Sequence, residues 1–224
     1  MPFSIETMTK AKIFLVEDHP ITRGGLAQLI DSQADMEVCG WAEDAVQAVR
    51  GVDQTEPDLI ITDLSLKGTD GLDLLKQIRP KHPRLHVLIL SMHDESLYAQ
   101  RALRAGARGY IMKAEAPENV LNAVRRILSG EVYLSETESA RTLASLAHGS
   151  PPSLKSPVEQ LSDRELEVFR WIGRGSSLRE IAERLQLSVK TVETHCSHIK
   201  AKLNIKHSRE LARQAVLWLE QVDR

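Results

Sequence analysis

The chain has 224 residues, of which 42% are hydrophobic and 27% charged, with a formal net charge of −2 at pH 7. This length suggests one large or two small domains, and this composition is typical of a folded globular protein. No apolar run approaches the roughly 18 residues of a membrane span, and the amino terminus lacks the apolar core of a signal peptide. Cys39 and Cys196 lie far apart without motif spacing, so we expect a protein of the reducing cytoplasm.

Short apolar runs alternate with longer amphipathic segments in the first part of the chain. The runs cover residues 12–16, 36–42, 58–63, 86–91 and 109–113. Each is followed by a segment whose apolar residues recur at helical spacing. Strands that alternate with helices predict a parallel sheet covered on both faces. The size fits a flavodoxin-like α/β domain of five parallel strands in the order 2-1-3-4-5.

The alternation stops near residue 131, and the composition changes. We predict a domain over residues 11–131, a linker over residues 132–159 and an all-α domain over residues 160–224. Proline and serine dominate the end of the linker, and Ser135 with Glu138 could begin a short helix within it.

Polar residues stand where the predicted strands end. Glu17 and Asp18 follow strand 1, Asp63 follows strand 3, Ser91 ends strand 4 and Lys113 ends strand 5. A single aspartate at a strand end is more often a helix cap. However, ligands of such sheets bind where the strand order reverses, here between strands 1 and 3. Three carboxylates at that point favour Mg²⁺, and the added hydroxyl and ammonium predict a site for a phosphoryl group on a carboxylate.

These residues resemble the receiver domain of bacterial two-component response regulators, over residues 12–130. The resemblance implies that Asp63 accepts a phosphoryl group from a sensor histidine kinase, acting as a nucleophile. It also implies that Mg²⁺ is held by Glu17, Asp18, Asp63 and the backbone carbonyl of Ser65.

The resemblance assigns roles to the other strand-end residues as well. Ser91 and Lys113 would bind the phosphoryl oxygens, and Tyr110 would turn inward when Ser91 moves. Lys67 stands where the family usually has a proline, and His93 would lie near the path of the water that removes the phosphoryl group.

The carboxyl-terminal part predicts two helices joined by a tight turn. Ser188 can cap the second helix, on which apolar residues recur at helical spacing: Val192, Cys196, Ile199 and Leu203. The opposite face is small and polar, which suits a helix that enters the major groove of DNA. Residues 161–220 resemble the LuxR-type helix-turn-helix, so the whole chain is similar to NarL-type response regulators.

This second resemblance implies double-stranded DNA as a partner and a homodimer when phosphorylated. The residues expected to contact DNA are Lys190, Thr191, Glu193, Thr194, Ser197, Lys200 and Lys202. Lys200 and Lys202 suit phosphates, whereas Glu193 can only accept a hydrogen bond, for example from N4 of cytosine. A symmetric dimer should bind an inverted repeat whose half-sites lie about one helical turn apart.

Other functions fit parts of the pattern. A phosphoaspartate hydrolase would need a second aspartate in place of Ser65, so we do not expect an enzyme. A regulator that senses a small apolar signal would not need the acidic crevice with Ser91 and Lys113. A receiver that switches without phosphorylation would not need the complete acceptor set, and the helical part alone could be an interaction module.

Overall fold

The structure, a computed structural model, describes residues 9–66, 69–92, 95–147, 157–185 and 187–222. The chain divides between Ser145 and Leu146 into two compact units, each with a core of its own. Lys67 and His93 lie outside the described residues.

The first unit contains the predicted parallel sheet. Its strands are β1 (Ala11–Val16), β2 (Met36–Ala42), β3 (Leu59–Thr62), β6 (His86–Ser91) and β7 (Gly109–Met112). They are arranged in the order β2-β1-β3-β6-β7, which confirms the predicted order 2-1-3-4-5 of the five long strands. The numbering differs because β4 (Ser65–Leu66) and β5 (Thr69–Asp70) form a separate antiparallel pair that we did not predict.

Helices cover both faces of this sheet because side chains on both faces of the strands are apolar. The helices are α1 (Pro20–Asp31), α2 (Ala45–Thr55), α3 (Gly71–Ile78), α4 (Glu95–Ala105) and α5 (Pro117–Leu128). Ile13 and Leu15 of β1 are fully buried in a cluster with residues of α1 and α5. Phe14 of β1 and Ile60 of β3 do not belong to this cluster but are buried too. The packed sheet therefore fixes the positions of the strand ends.

The predicted linker begins on the edge of the sheet. Tyr133 pairs in parallel with Gly109 of β7, and helix α6 (Glu136–Ala147) follows. The Ser135 hydroxyl accepts a hydrogen bond from the Glu138 amide at 3.2 Å, which is one half of the predicted capping box, whereas the Ser135 amide donates to Glu95 Oε1 at 2.8 Å.

The described residues of the second unit form four α-helices, as predicted, after a short 3₁₀ helix (Pro157–Gln160). These are α7 (Asp163–Gly173), α8 (Leu178–Arg184), α9 (Val189–Lys202) and α10 (Ser208–Val222). Their buried side chains include Phe169, Ile181, Val192 and Ile199. Gly173 allows α7 and α10 to pack closely, since a Cβ there would lie 2.6 Å from the carbonyl oxygen of Ala215.

Among the described helices of both units, none combines the length and the apolar character that a membrane crossing demands.

Candidate functional site

Three carboxylates converge at the carboxyl edge of the sheet, as the sequence predicted. Glu17, Asp18 and Asp63 are buried, with 2%, 7% and 6% of their surface exposed. One oxygen from each lies within 4.8 Å of the others and of a ring nitrogen of His19. Because ionised carboxylates are costly to bury without a partner, this cluster needs positive charge.

Backbone pairing places these side chains next to one another. The Asp63 amide donates to Val16 O at 2.9 Å, so the chain beyond β3 stays in register with the chain beyond β1. Arg23, which the sequence analysis overlooked, donates to Glu17 O at 2.7 Å. Its guanidinium also stacks on the Trp41 ring, 4.1 Å from the centroid. Arg23 therefore fixes the loop that carries Glu17.

Lys113 supplies the positive charge within the cluster. Its ammonium lies 2.5 Å from Glu17 Oε2 and 2.8 Å from Asp63 Oδ2. Burial tends to lower the pKa of Lys113, but the two carboxylates outweigh it and the pKa is raised. Burial raises the pKa of Asp63, an effect that the charge and hydrogen bond of Lys113 oppose. Lys113 thus compensates two of the three carboxylates.

Asp18 is the carboxylate that Lys113 leaves uncompensated. Its Oδ1 atom is buried and accepts no hydrogen bond from any described residue. His19 Nδ1 lies 2.8 Å from that oxygen, though without the geometry of a hydrogen bond. A buried carboxylate oxygen without a donor is expensive unless a cation approaches it. The site therefore fits a hard cation such as Mg²⁺, which takes oxygen ligands.

The loop after Asp63 lies close to the carboxylate. The Ser65 amide donates to Asp63 Oδ1 at 3.2 Å, while the predicted role of the Ser65 carbonyl stays a prediction. Gly71, which the sequence analysis did not single out, packs closely against the backbone of Asp63. A Cβ on Gly71 would lie 2.3 Å from the carbonyl oxygen of Asp63, and its amide donates to Leu64 O at 2.7 Å. Only glycine fits there without displacing the loop.

Ser91 and Tyr110 lie on neighbouring strands beside the cluster. Ser91 ends β6 and is fully buried, and its carbonyl accepts from the Lys113 amide at 2.7 Å. Tyr110 pairs with Ile89 across the two strands and is fully buried too. Since Tyr110 already lies inside the protein, no inward turn is needed to bring it there, and its predicted movement stays untested.

Helix α9 presents the polar face that the sequence predicted. Of the seven predicted contact residues, Thr191 and Lys200 are half-buried, and the exposed ones are Lys190, Glu193, Thr194, Ser197 and Lys202. The Thr194 and Ser197 hydroxyls donate to backbone carbonyls one turn earlier, at 3.0 and 2.9 Å. The Ser188 hydroxyl accepts from the Thr191 amide at 3.0 Å and so caps the helix. These hydroxyl oxygens still have lone pairs for other donors.

The carboxyl end of α9 is attached to the start of α7, which the sequence analysis did not anticipate. Lys202, expected to contact phosphate, donates to Glu165 Oε2 at 2.6 Å. Glu165 is buried and also accepts from the Ser162 amide at 2.7 Å. Burial tends to raise the pKa of Glu165, but the hydrogen bonds from Lys202 and Ser162 lower it.

Arg164, which precedes Glu165 in α7, is hydrogen-bonded to the end of α8. Arg164 donates to Leu185 O at 2.7 Å, just beyond the end of α8, and to Glu167 Oε2 at 2.6 Å. Lysine and arginine near a helix end interact favourably with its free carbonyls. Consecutive residues of α7 therefore position both helices of the helix-turn-helix.

Two protein-family models match the chain. "Response regulator receiver domain" matches residues 13–125. "Bacterial regulatory proteins, luxR family" matches residues 159–215. The first range contains the carboxylate cluster, and the second contains α7, α8 and α9.

Two known regulatory proteins are similar to most of the chain. The "Oxygen regulatory protein NreC" of Staphylococcus haemolyticus is 38% identical over 209 residues, covering 92% of this chain and 96% of that protein. A LuxR-family two-component response regulator from Aurantimonas sp. has 34% identity and a TM-score of 0.58, covering 62% and 99% of the two chains.

Several similar structures contain DNA. One of them is RcsB from Salmonella enterica serovar Typhimurium, bound to promoter P1flhDC in the presence of the phosphomimetic BeF₃⁻. Its identity with this chain is 25%, its TM-score is 0.58, and the match covers 92% of this chain and 98% of RcsB.

Proposed function

The chain belongs to the NarL-type two-component response regulators, and we propose that Asp63 is the residue through which phosphorylation controls its binding to DNA. Residues 11–131 are then the phosphoacceptor domain and residues 160–224 the DNA-binding domain. The observation that carries this proposal is the meeting of three buried carboxylates with the Lys113 ammonium at one edge of the sheet. The chain would act as a DNA-binding regulator and not as an enzyme.

In the proposed reaction, a carboxylate oxygen of Asp63 attacks the phosphorus of a phosphohistidine on the sensor kinase. An O–P bond forms while the P–N bond breaks, and the imidazole leaves with the electron pair and takes up a proton. Such transfers depend on positioning and on compensation of charge. Lys113 lies 2.8 Å from Asp63 Oδ2, within reach of the new phosphoryl oxygens, and the Ser91 hydroxyl would bind another of them.

A divalent cation completes the proposed site. Glu17, Asp18, Asp63 and the Ser65 carbonyl would hold Mg²⁺, and the buried, unsatisfied Oδ1 of Asp18 supports this assignment. When bound, the ion would neutralise the carboxylates and the incoming phosphoryl oxygens. His19 lies beside the same oxygen, so its ring would face the bound ion.

The acceptor can be tested on the full chain with acetyl phosphate as donor. Intact-mass spectrometry should detect one phosphoryl group in the presence of Mg²⁺ and none without it. Asp63→Asn should abolish the label, whereas the control Asp53→Asn, at a carboxylate that binds His82 on the surface, should be labelled normally. Full labelling of Asp63→Asn would show that another residue is the acceptor.

We propose that α9 reads DNA in the major groove. Its exposed face offers Lys190, Glu193 and Thr194 near the capped start of the helix, the end that contacts bases in this motif. The RcsB structure with promoter DNA supports the partner class. A homodimer formed on phosphorylation would then place two such helices on an inverted repeat.

A further inference from the structure

The segment between α5 and α6 is hydrogen-bonded to the strand that carries Tyr110. The Tyr133 amide donates to Arg108 O at 2.9 Å, and Tyr133 O accepts from the Tyr110 amide at 3.1 Å. The Tyr133 side chain is buried, and the Arg126 guanidinium lies 5.5 Å from its ring centroid. This segment thus adds a one-residue parallel bridge to the edge of the sheet beyond β7.

A buried carboxylate holds the next turn of the same segment. Glu95, the first residue of α4, is 7% exposed and accepts a hydrogen bond from the Ser135 amide at 2.8 Å. Ser135 also begins α6, since its hydroxyl caps the Glu138 amide and its carbonyl accepts from Ser139. One side chain of α4 is therefore hydrogen-bonded to the residue at which α6 starts.

Both attachments of the segment lie on elements next to the proposed phosphoryl site. β7 carries Tyr110 and ends just before Lys113, and α4 follows the strand that ends in Ser91. The contacts that Ser91 and Lys113 make with a phosphoryl group can shift β7 and α4 only if these contacts are stronger in one arrangement of the two elements than in another. A buried carboxylate such as Glu95 is costly unless a donor compensates it. Because Glu95 belongs to α4, a shift of this helix would change the distance from the carboxylate to the Ser135 amide.

We propose that Glu95 is a positioning residue that fastens the start of α6 to α4, so that phosphorylation of Asp63 releases α6. The inference rests on the proposed function. It adds the contacts through which phosphorylation of Asp63 affects α6, the helix that leads to the DNA-binding unit. Without the phosphoryl group, the Glu95 carboxylate binds the Ser135 amide and fixes α6. With it, α4 is displaced, the amide loses its acceptor, and α6 becomes free to reorient.

Hydrogen exchange of the full chain, resolved at individual amides, tests the proposal. In the unphosphorylated protein the Ser135 amide and the first turn of α6 should be protected. Glu95→Ala should accelerate their exchange about tenfold or more, since the lost hydrogen bond is to a charged group. Glu95→Gln keeps a side-chain oxygen and should restore much of the protection. The control Glu118→Ala, at the exposed acidic residue in the first turn of α5, should change nothing in α6.

A second pair of variants isolates the donor in case Glu95→Ala does not fold. Ser135→Pro and Ser135→Ala both lose the capping hydroxyl, but only proline lacks the amide hydrogen. Exchange in α6 should therefore be faster in Ser135→Pro than in Ser135→Ala. Equal exchange in the two variants would overturn the proposal.

Phosphorylation of the wild-type chain gives the decisive comparison. With acetyl phosphate and Mg²⁺, the amides from Ser135 into α6 should exchange as fast as in unphosphorylated Glu95→Ala. Intact mass on the same samples separates two failures. A chain without a phosphoryl group would overturn the proposed acceptor and this inference together. A labelled chain in which the Ser135 amide stays protected would overturn this inference alone.

Discussion

Replacing Lys202 by alanine should destabilise the carboxyl-terminal unit, because its ammonium compensates a buried carboxylate. Lys202 Nζ lies 2.6 Å from Glu165 Oε2, and the Glu165 side chain is 5% exposed. A hydrogen bond to a charged group contributes roughly 1.5–3 kcal/mol, and breaking a buried pair costs about 3–5 kcal/mol. The Lys202 side chain is itself 40% exposed, and the Ser162 amide still donates to the carboxylate. We therefore expect a loss of about 2 kcal/mol.

Thermal unfolding of the full chain can measure this loss in the second unit alone. The three tryptophans are Trp41 in the first unit and Trp171 and Trp218 in the second, so a Trp41→Phe background restricts the fluorescence to the second unit. For a unit of this size, about 1 kcal/mol shifts Tm by about 4–8 °C. Lys202→Ala should therefore lower Tm by about 8–16 °C.

Lys200→Ala is the matched control for this experiment. Lys200 is in the last turn of the same helix, and its side chain forms no ion pair or hydrogen bond with the part of the chain that the structure describes. It should leave Tm unchanged and flatten the salt dependence of DNA binding by about one unit, as expected for a phosphate contact. If Lys202→Ala unfolds at the same temperature as Lys200→Ala, the ion pair with Glu165 does not stabilise the unit.

Three further predictions concern the same two units. Folding lowers the pKa of Glu165. The ionised Glu165 carboxylate should therefore stabilise the second unit above about pH 4.3, the usual pKa of glutamate, and this stabilisation should be lost as the pH falls through the pKa of the folded protein. Acid titration followed by tryptophan fluorescence checks this. Glu193→Ala should change the base preference at one position of the DNA site, by roughly 1–3 kcal/mol, in a binding selection on random DNA. An unchanged motif would show that this face of α9 does not contact bases in the groove. Gly71→Ala should slow labelling of Asp63 and destabilise the first unit by about 1–3 kcal/mol in denaturant unfolding, whereas Gly24→Ala, with open space at its Cβ, should do neither.

The strands could be predicted from the sequence because their side chains are apolar on both faces, which a short run reveals directly. The strand ends then placed Glu17, Asp63 and Lys113 at one edge without further information. The pair β4–β5 could not be predicted, since two-residue strands leave no periodic pattern. The resemblance to a known family supplied the roles of these residues, which spacing alone did not assign.

Two buried carboxylates outside the predicted site could not be recognised from the sequence. Glu95 and Glu165 each stand in the first turn of a helix, where an acidic residue is expected on the surface. Each is hydrogen-bonded to a partner 40 or 37 positions away along the chain, Ser135 or Lys202. Such pairs depend on how helices pack, so no local pattern could reveal that Lys202 is held by a carboxylate.

The parallel bridge at Tyr133 also shields the edge of the sheet from other chains. An uncovered edge strand offers free amides and carbonyls to any neighbouring molecule, and this is a common origin of aggregation. Here Tyr133 occupies the amide of Tyr110 and the carbonyl of Arg108. A fragment cut at residue 131 would leave both groups bare and should self-associate through β7. A fragment that extends through Ala147 would keep the edge covered.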